Sequence, residues 1–379
     1  MAFFPKYSPP VNLAGQKVLC AMSGGVDSSI AAYLLKQAGA TVLGATMKLL
    51  SGETVGPEGS RSCCSLADVE DARRVATSLD IDFLVFNFTL LFREKVIRPF
   101  ARAYREGLTP NPCVDCNRTL KFQDLWERAS VLGQDYLATG HYARVAHDPQ
   151  SGRLALLKAR DPAKDQSYVL YGLTQEELSR TLFPLGDLSK GETRALAQEA
   201  GFPNAQKPDS QDICFVPDGD YGAFLENYWD NPPPPGDVVD SAGKVLGRHR
   251  GLFRYTIGQR KGLGALGPKP SYVLRLNPRD NSVTVGPREL LSSPAIVVGD
   301  LSFGAIPALE GPRRVMAKIR YRQKETPAVI APLGDSRAIV SFDRPQRAPA
   351  PGQIAVFYEG DLVLGGGRIL SARSLKTPP

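Results

Sequence analysis

Short apolar runs alternate with helix-like amphipathic segments over the first half of the chain. Lys17 to Met22 is an apolar run that ends at Ser23-Gly24-Gly25, and residues 28–38 have the apolar spacing of a helix. The same alternation continues, with strands predicted at 40–47, 81–88 and 136–140 and helices at 67–79, 92–106 and 120–129. This alternation of strand and helix predicts an α/β fold with a doubly wound parallel sheet.

The pattern changes after about residue 216. The segment 231–236 contains four consecutive prolines, which exclude a helix or an inner strand and mark a boundary or a stiff loop. Short β-like runs separated by turn residues follow at 272–276, 282–285, 315–321, 338–342 and 354–358, as in antiparallel sheets or small barrels. We predict three domains: an α/β domain at 1–216, a central β-rich domain at 217–295 and a C-terminal β-barrel at 296–379.

The composition is that of a globular protein in a reducing compartment. Hydrophobic residues make up 42% of the 379 residues and charged residues 22%, which excludes a disordered or fibrous chain. No apolar run approaches the roughly 18 residues of a membrane span, and the N-terminus lacks the apolar core of a secretion signal. Six cysteines in a chain of this length do not make a disulfide scaffold. We therefore expect a cytoplasmic protein with reduced thiols and no membrane partner.

Positive charge is concentrated towards the C-terminus. Residues 1–216 carry 24 basic and 24 acidic side chains, whereas residues 241–379 carry 22 basic and nine acidic ones, a net charge of +13. A basic block joined to a neutral one is typical of proteins that bind a polyanion, and nucleic acid is the usual polyanion. A merely solubilising surface is the alternative interpretation.

A loop rich in glycine and serine joins the first predicted strand to the first helix. In Ser23–Ser29, the glycines allow backbone N–H groups to point at a ligand, and the start of the helix favours an anion. The loop has neither the GxGxxG spacing nor the lysine of a Walker A loop. Phosphate would therefore be held mainly by backbone N–H groups and Mg²⁺, with Asp27 on the metal side. The alternative is a simple turn that opens a helix.

Three cysteines are candidates for chemistry. Cys113 and Cys116 form a CxxC pair in a turn-rich segment, and Cys214 lies about a hundred residues further on. Taken alone, CxxC fits a metal site, a redox pair or a coincidence. A structural zinc site needs four ligands, which here would have to come from Cys20, Cys63, Cys64 or the three histidines as well. Cys20 falls in a predicted strand, where a buried core thiol is expected.

The loop sequence SGGVDS resembles the PP-loop of ATP pyrophosphatases, which adenylate a substrate and release pyrophosphate. The resemblance implies that the loop holds the pyrophosphate end of ATP, with adenine near the end of the second strand. The residues that it assigns to ATP are Ala21, Met22, Ser23, Gly24, Gly25, Val26, Asp27, Ser28, Met47 and Gly140.

Eight motifs together resemble a more particular family, the tRNA-specific 2-thiouridylases, over nearly the whole chain. They occur in the family's order: SGGVDSS, NPCVDCN, ATGHYAR, KDQSY, SQDICFV, GQRKGLG, RYRQ and PGQ. The resemblance implies ATP-dependent 2-thiolation of the wobble uridine of tRNA, in which ATP and Mg²⁺ give an adenylated uridine and AMP and pyrophosphate are released. The alternatives are an amidating or ligating PP-loop enzyme that acts on a small molecule, and a nucleotide-gated RNA-binding or metal-sensing protein without turnover.

The same resemblance assigns roles to two thiols. Cys214 would carry a persulfide from a sulfur donor protein, either a cysteine desulfurase or a relay. Cys116 would be the catalytic nucleophile, and the two thiols would form a transient disulfide as sulfur is released. Asp27 in the PP-loop completes the catalytic set.

One departure from the family concerns Cys113, because many members have aspartate at this position. Cys113, Cys116 and Cys214 are therefore also candidate ligands of an iron–sulfur cluster whose fourth iron would bind sulfide. The persulfide route is the hypothesis carried forward, and the cluster route stays open beside it.

The resemblance also implies a set of tRNA contacts. A base must leave its stack before its C2 edge can be modified, and it must then be held. The residues assigned to tRNA are Asn111, Pro112, Cys113, His141, Lys164, Asp165, Gln166, Arg320, Tyr321 and Gln353. Independently of the family, Arg320-Tyr321-Arg322 places charge for phosphate beside an aromatic face. A solvated loop lysine at Lys164 and a strand-end histidine at His141 are the alternatives.

Overall fold

The computed structural model describes residues 12–50, 66–148, 151–209, 213–216, 219–264, 270–334 and 336–373. Cys63 and Cys64 lie outside the described residues, as do Ser210, Gln211 and Asp212 of the SQDICFV motif. Within the described ranges, no helix is long and apolar enough to cross a bilayer.

A five-stranded parallel sheet organises the N-terminal domain. The strands of this part of the chain are β1 (Lys17–Ala21), β2 (Thr41–Lys48), β3 (Asp82–Asn87), β4 (Tyr136–Thr139), β5 (Ala143–His147), β6 (Leu154–Lys158) and β7 (Thr181–Leu182). The sheet has the order β3-β2-β1-β4-β7, and each adjacent pair is parallel. In β1, Val18, Leu19 and Cys20 are fully buried, as expected for a central strand covered on both faces. The predicted doubly wound sheet is confirmed.

Helices cover the sheet and lead into the middle of the chain. They are α1 (Val26–Gln37), α2 (Leu66–Ser78), α3 (Thr89–Phe92), α4 (Arg98–Arg105), α5 (Pro112–Asp115), α6 (Leu125–Val131), α7 (Ser167–Leu170), α8 (Gln175–Ser179), α9 (Lys190–Glu199) and α10 (Tyr221–Tyr228). π-Helical segments at Arg93–Ile97 and Cys116–Asp124 join α3 to α4 and α5 to α6.

Helical structure begins earlier around the CxxC pair than the sequence predicts. The expected helix at 120–129 instead starts at Pro112 and runs through the π-helical segment to Val131. Pro112 occupies the first helical position, where its missing N–H costs nothing and its fixed φ angle suits the helix. Cys113 and Cys116 are therefore helical residues, and the prediction of a turn-rich segment was wrong.

The central domain is a small sheet built from β8 (Gly236–Val239), β9 (Val245–His249), β10 (Tyr272–Asn277) and β11 (Ser282–Gly286). Its strand order is β10-β11-β8-β9. Val238, Val273 and Val283 form the centre of its own hydrophobic core. The predicted β-rich character of this region is confirmed.

A closed barrel follows, built from β12 (Ser292–Ser302), β13 (Arg313–Lys318), β14 (Thr326–Pro332), β15 (Ala338–Arg347), β16 (Ile354–Glu359) and β17 (Leu362–Arg373). The order is β12-β15-β14-β13-β16-β17, and pairing of β12 with β17 closes the ring. The predicted barrel is confirmed, although the boundary predicted between residues 295 and 296 falls inside β12. β13 ends before Arg320 and Tyr321, which lie in the following turn rather than in the strand predicted at 315–321.

The N-terminal domain contributes a hairpin to the same sheet system. β6 pairs with β17 through Leu157 and Leu362, and β5 pairs with β6. The barrel is thereby joined to the hairpin that follows β4. The candidate site lies at the C-terminal end of β4.

Candidate active site

The Ser23–Ser29 loop joins β1 to α1 in a conformation that requires glycine. Gly24 has a φ angle of +74°, and a Cβ atom added there would lie 2.2 Å from the backbone oxygen of Asp68 in α2. Both the left-handed backbone and the contact with α2 exclude a side chain. The loop is therefore pressed against α2.

Serine hydroxyls shape this loop from within. Ser28 Oγ donates a hydrogen bond to the Gly25 oxygen at 3.1 Å and accepts one from the Ser23 backbone N–H at 3.1 Å. Ser29 Oγ also donates to the Gly25 oxygen, at 3.0 Å. Ser28 and Ser29 are buried, whereas Ser23 is exposed. The two buried hydroxyls thus stabilise the loop, which leaves phosphate binding mainly to the backbone and to Ser23.

Two residues that sequence reasoning missed hold the loop from behind. Asn204 Nδ2 donates to the Gly24 oxygen and to Ser29 Oγ, both at 3.0 Å. Lys207 Nζ donates to the Gly24 oxygen at 3.3 Å and also pairs with two carboxylates of α2. Nothing in the local sequence around Ser23 signals these partners, because they come from a segment about 180 residues further on.

Asp27 has two polar partners in the folded protein. Its Oδ1 accepts hydrogen bonds from Tyr142 Oη at 2.8 Å and from Lys190 Nζ at 2.6 Å. Burial, followed by the nearby Asp27 charge, raises the pKa of Tyr142, so this phenol stays protonated and donates. Tyr142 belongs to the ATGHYAR motif, whereas Lys190 lies in no motif that the sequence singled out.

The other residues assigned to ATP meet at the carboxyl ends of β1, β2 and β4. A Cβ atom at Gly140 would lie 2.7 Å from the Ser28 nitrogen, so the end of β4 touches the first turn of α1. Met47 is buried near the end of β2, and the Met22 N–H donates to the Ala45 oxygen beside it. Ligands of open α/β sheets bind at this edge. The assignment of ATP to these residues stays a prediction.

The three candidate thiols differ in exposure. Cys113 is exposed, Cys116 and Cys214 are half-buried, and none of them forms a disulfide. Cys116 and Cys214 both pack against the same hydrophobic core, in which Phe215 contacts Phe92 and Phe100 edge to face. Phe215, the residue that follows Cys214, is therefore fixed in the core that also borders Cys116.

Burial controls the ionisation of two cysteines. Burial raises the pKa of the Cys20 thiol to about 12, and this side chain is fully enclosed, as expected for a core residue. Burial raises the pKa of Cys116 to about 11, an effect that the nearby Lys121 opposes. Cys116 is therefore a neutral thiol at neutral pH before anything binds.

The described residues do not form a metal site with three protein ligands. Within the described part of the chain, no three His, Cys, Asp or Glu side chains are arranged so that they could hold a metal ion. A cluster on Cys113, Cys116 and Cys214 would need three thiolates around one centre. The iron–sulfur hypothesis does not fit this arrangement, whereas the structural zinc alternative is not tested by it, because Cys63 and Cys64 lie outside the described residues.

The Lys164-Asp165-Gln166 segment is occupied by internal contacts. Lys164 Nζ pairs with Asp209 at 2.6 Å, and Asp165 accepts from the Ala159 and Ser167 N–H groups. Gln166 Oε1 accepts from the Tyr142 N–H at 2.9 Å. These contacts define the shape of the segment, and its predicted binding to tRNA stays a prediction.

His141 is buried rather than presented on the surface. Its Nδ1 lies 2.7 Å from Thr139 Oγ1, and its Nε2 lies 3.4 Å from Lys121 Nζ. Burial, and then the charge of Lys121, lower the pKa of His141 well below its ordinary value, so the ring is neutral. An ammonium group can only donate, so Nε2 accepts and Nδ1–H faces Thr139. The predicted tRNA contact at His141 stays a prediction.

The barrel reaches the helix that carries the CxxC pair. Gln353 Nε2 donates to the oxygens of Thr109 and Pro110 at 3.0 and 3.3 Å, directly before Asn111. Arg320 donates to the Ala348 oxygen at 2.6 Å. Gln353 thus connects the barrel to the start of the CxxC helix, whereas the bond of Arg320 lies within the barrel domain.

Tyr321 presents an aromatic surface beside that helix. Tyr321 is 39% exposed. Partial burial is the main cause of its raised pKa, and the nearby Cys113 raises this pKa further. Lys318 Nζ lies 5.7 Å from the ring centres of both Tyr168 and Tyr321. An exposed ring beside a cation is a suitable surface for a base or a phosphate.

The fold and the loop define a nucleotide-binding α/β protein with two β-rich domains attached. Family models match it in three parts: a tRNA methyl transferase HUP domain at residues 16–218, a tRNA methyl transferase PRC-barrel domain at 222–287 and an aminomethyltransferase beta-barrel domain at 293–369.

Relatives that align over their full length specify the family. The chain is 50% identical to the tRNA-specific 2-thiouridylase MnmA of Moorella thermoacetica, over 94% of this chain and 100% of that protein. It is 48% identical to the protein of the same name from Clostridioides difficile, over 93% of this chain and 98% of that protein. The chain belongs to the tRNA-specific 2-thiouridylase family, and the resemblance inferred from its motifs is confirmed.

The domain models carry a methyl transferase name, whereas these relatives carry a thiouridylase name. The relatives decide the family, because they match more than nine-tenths of the chain at about half identity. Among solved structures, that of a 4-thiouridine synthetase–RNA complex with bound ATP aligns at 19% identity with a TM-score of 0.35, covering 56% of this chain and 50% of that chain. That TM-score is too low to bear on the reaction.

Proposed function

We propose that this protein replaces the C2 oxygen of the wobble uridine of tRNA by sulfur, using ATP. The observation that carries the proposal is that Cys116 and Cys214 border one hydrophobic core. Lys121, on the helix of Cys116, contacts His141, and the neighbouring Gly140 touches Ser28 of the loop. The helix of Cys116 is thus linked to the loop through adjacent residues, and Cys214 borders the same core as Cys116.

The reaction needs three displacements. The C2 oxygen is a poor leaving group, so it first attacks the α-phosphorus of ATP and pyrophosphate departs. The outer sulfur of a persulfide on Cys214 then attacks C2, and AMP departs. Attack of the Cys116 thiolate on Cys214 Sγ breaks the sulfur–sulfur bond, which leaves the sulfur on the base and a Cys116–Cys214 disulfide. A thiol reductant restores both thiols by supplying two electrons.

ATP binding would place Mg²⁺ close to Asp27. Mg²⁺ in such sites is held by one or two carboxylates together with the substrate phosphates, and Asp27 lies at the start of α1 with one side accessible. When bound, the ion would neutralise charge on the departing pyrophosphate. Asp27 would then exchange a protein partner for the ion.

The base and the RNA would be held by the CxxC helix and the barrel. Asn111, Pro112 and Cys113 start that helix, and Gln353 fixes the two residues before them. Arg320 and Tyr321 lie in the adjoining turn of a domain rich in positive charge. We assign the tRNA to this surface because it combines phosphate-binding charge with an exposed aromatic ring.

Sulfur would reach Cys214 from a persulfide donor protein in a cytoplasm that keeps thiols reduced. This route uses only two thiols, whereas the cluster route needs three converging thiolates, which the described residues do not provide. The proposal therefore keeps the persulfide and discards the cluster.

The test is formation of 2-thiouridine by metal-free protein given ATP, Mg²⁺, unmodified tRNA and a persulfide donor. We expect product with the wild type and with C20A, whose thiol is a core group, and none with C116A or C214A. Product only after anaerobic cluster reconstitution would contradict the persulfide route. Pyrophosphate release that needs no tRNA would contradict thiolation and favour a small-molecule ligase.

A further inference from the structure

A lysine from a distant helix reaches the Ser23–Ser29 loop, which contains no lysine of its own. Lys190 is the first residue of α9, and its Nζ lies 2.6 Å from Asp27 Oδ1 and 2.8 Å from Asp209 Oδ1. Only 12% of its side chain is exposed. The ammonium group is therefore held at the loop by two carboxylates.

The start of α9 is fixed by several hydrogen bonds, so the backbone position of Lys190 is fixed. Ser189 caps the helix in a reciprocal capping box with Glu192. The backbone N–H of Lys190 donates to Asp161 Oδ2 at 3.0 Å. A cation attached to such a fixed backbone loses little conformational entropy when a ligand binds.

Lys190 shares one of its two carboxylate partners with other cations. Asp209 pairs not only with Lys190 but also with Lys164 at 2.6 Å and with Arg194 at 3.2 Å. Burial would raise the pKa of Asp209, but hydrogen bonds from Lys164 and Lys190 outweigh it and hold the pKa at about 2. Asp209 is thus shared by three cations, and of these Lys190 also contacts Asp27.

Lys207, the other lysine at the loop, is in a different situation. Its ammonium lies 2.6 Å from Asp68 and 2.7 Å from Asp71, and it donates to the Gly24 oxygen on the side facing α2. Two carboxylates already balance its charge, and its bonds tie the loop backbone to α2. Lys207 is therefore a structural residue, which leaves Lys190 as the lysine facing Asp27.

We propose that Lys190 binds the β- and γ-phosphates of ATP and, after adenylation, the pyrophosphate. An ammonium group has three N–H donors, and among the described residues two of them face Asp27 and Asp209. If Asp27 instead held Mg²⁺, Lys190 could donate to a phosphate oxygen while Asp209 kept its ammonium group in place. The lysine that a Walker A loop carries in its own sequence is here supplied by α9. This inference rests on the proposed use of ATP.

The experiment compares the affinities of three ligands by titration calorimetry: ATP with Mg²⁺, inorganic pyrophosphate and AMP. Losing one hydrogen bond between charged groups corresponds to about a tenfold to hundredfold loss of affinity. K190M should therefore bind ATP and pyrophosphate about tenfold to a hundredfold more weakly, whereas AMP binding should not change. K190R should recover most of the loss, because it keeps the charge.

The control variant is K95M, which removes a lysine from a 2.6 Å pair with Asp124 away from the loop. It should bind all three ligands as the wild type does. Equal weakening of AMP and ATP in K190M would assign Lys190 a structural role and overturn the inference, as would unchanged ATP and pyrophosphate binding. A wild type that binds no ATP would overturn the proposed function as well, so the two failures are distinguishable.

Discussion

Arg368 of β17 donates a hydrogen bond to Asp115, the residue that directly precedes Cys116, across 3.1 Å. Burial raises the pKa of the Asp115 carboxyl, and the guanidinium of Arg368 acts against that rise. The C-terminal barrel thus contacts the helix of a proposed catalytic thiol through a partly buried ion pair. The barrel is accordingly part of the scaffold of the candidate active site as well as a candidate RNA-binding surface.

The first prediction concerns this ion pair. R368M leaves Asp115 without its cation, which should lower the free energy of unfolding by about 1–3 kcal/mol. Single-turnover thiolation should fall at least tenfold, because the Cys116 helix loses a contact that fixes it, while ATP affinity stays the same. The measurements are urea unfolding and rapid-quench analysis of thiouridine.

Arg314 provides the matched control for Arg368. It pairs with Asp343 on the same barrel, but both side chains are largely exposed. R314M should change the free energy of unfolding by less than about 1 kcal/mol, as is usual for surface pairs. If R314M and R368M slowed thiolation equally, the barrel contact would have no specific role.

The second prediction concerns Gly24. G24A places a Cβ atom 2.2 Å from the Asp68 oxygen, so either the loop or α2 must move, and ATP binding should be abolished. G133A is the control, because Gly133 has a similar φ angle of +67° but no atom within 4 Å of the added Cβ. It should cost only the backbone strain, about 1–2 kcal/mol, and bind ATP normally. Normal ATP binding by G24A would refute the loop assignment.

The third prediction concerns the ionisation of Cys116. With a pKa of about 11, its reactive thiolate fraction rises as pH rises and is only about one in a thousand at pH 8. Alkylation of Cys116 by iodoacetamide should therefore accelerate about tenfold per pH unit between pH 7 and pH 10. Peptide mass spectrometry measures the rate at each cysteine separately. A plateau below pH 9 would mean that the thiol has an ordinary pKa.

The fourth prediction concerns the basic C-terminal region. Arg322 lies in the exposed turn beside Tyr321, so R322M should weaken tRNA binding and reduce the slope of log affinity against log salt by about one. R73M, in the electrically balanced N-terminal domain, should leave that slope unchanged, although it removes the same charge. Filter binding between 50 and 300 mM salt gives both slopes. Equal slopes for R322M and the wild type would place the RNA elsewhere.

Local sequence was sufficient for elements whose pattern is repeated over several residues. α1 is found at Val26–Gln37 against a predicted 28–38, and β2 at Thr41–Lys48 against 40–47. Local sequence failed for β17, because three consecutive glycines weaken a strand when taken alone. In the barrel, a Cβ atom at Gly365 would lie 2.3 Å from the Ser302 oxygen. A Cβ atom at Gly367 would lie 2.5 Å from the Gly299 oxygen. These glycines allow β17 to approach β12 closely, and the two strands meet only when the barrel closes.

By itself, the sequence determined the fold class, the position of the glycine- and serine-rich loop and the family, and it singled out the candidate cysteines. Each of these depends on residues that are close together in the chain or on motifs in a fixed order. Only the tertiary structure decided which groups surround the loop and the thiols, because Lys190, Asn204 and Arg368 are brought there by packing between distant segments. It also decided that Cys116 is a neutral thiol, since desolvation depends on what covers a side chain rather than on its neighbours in sequence.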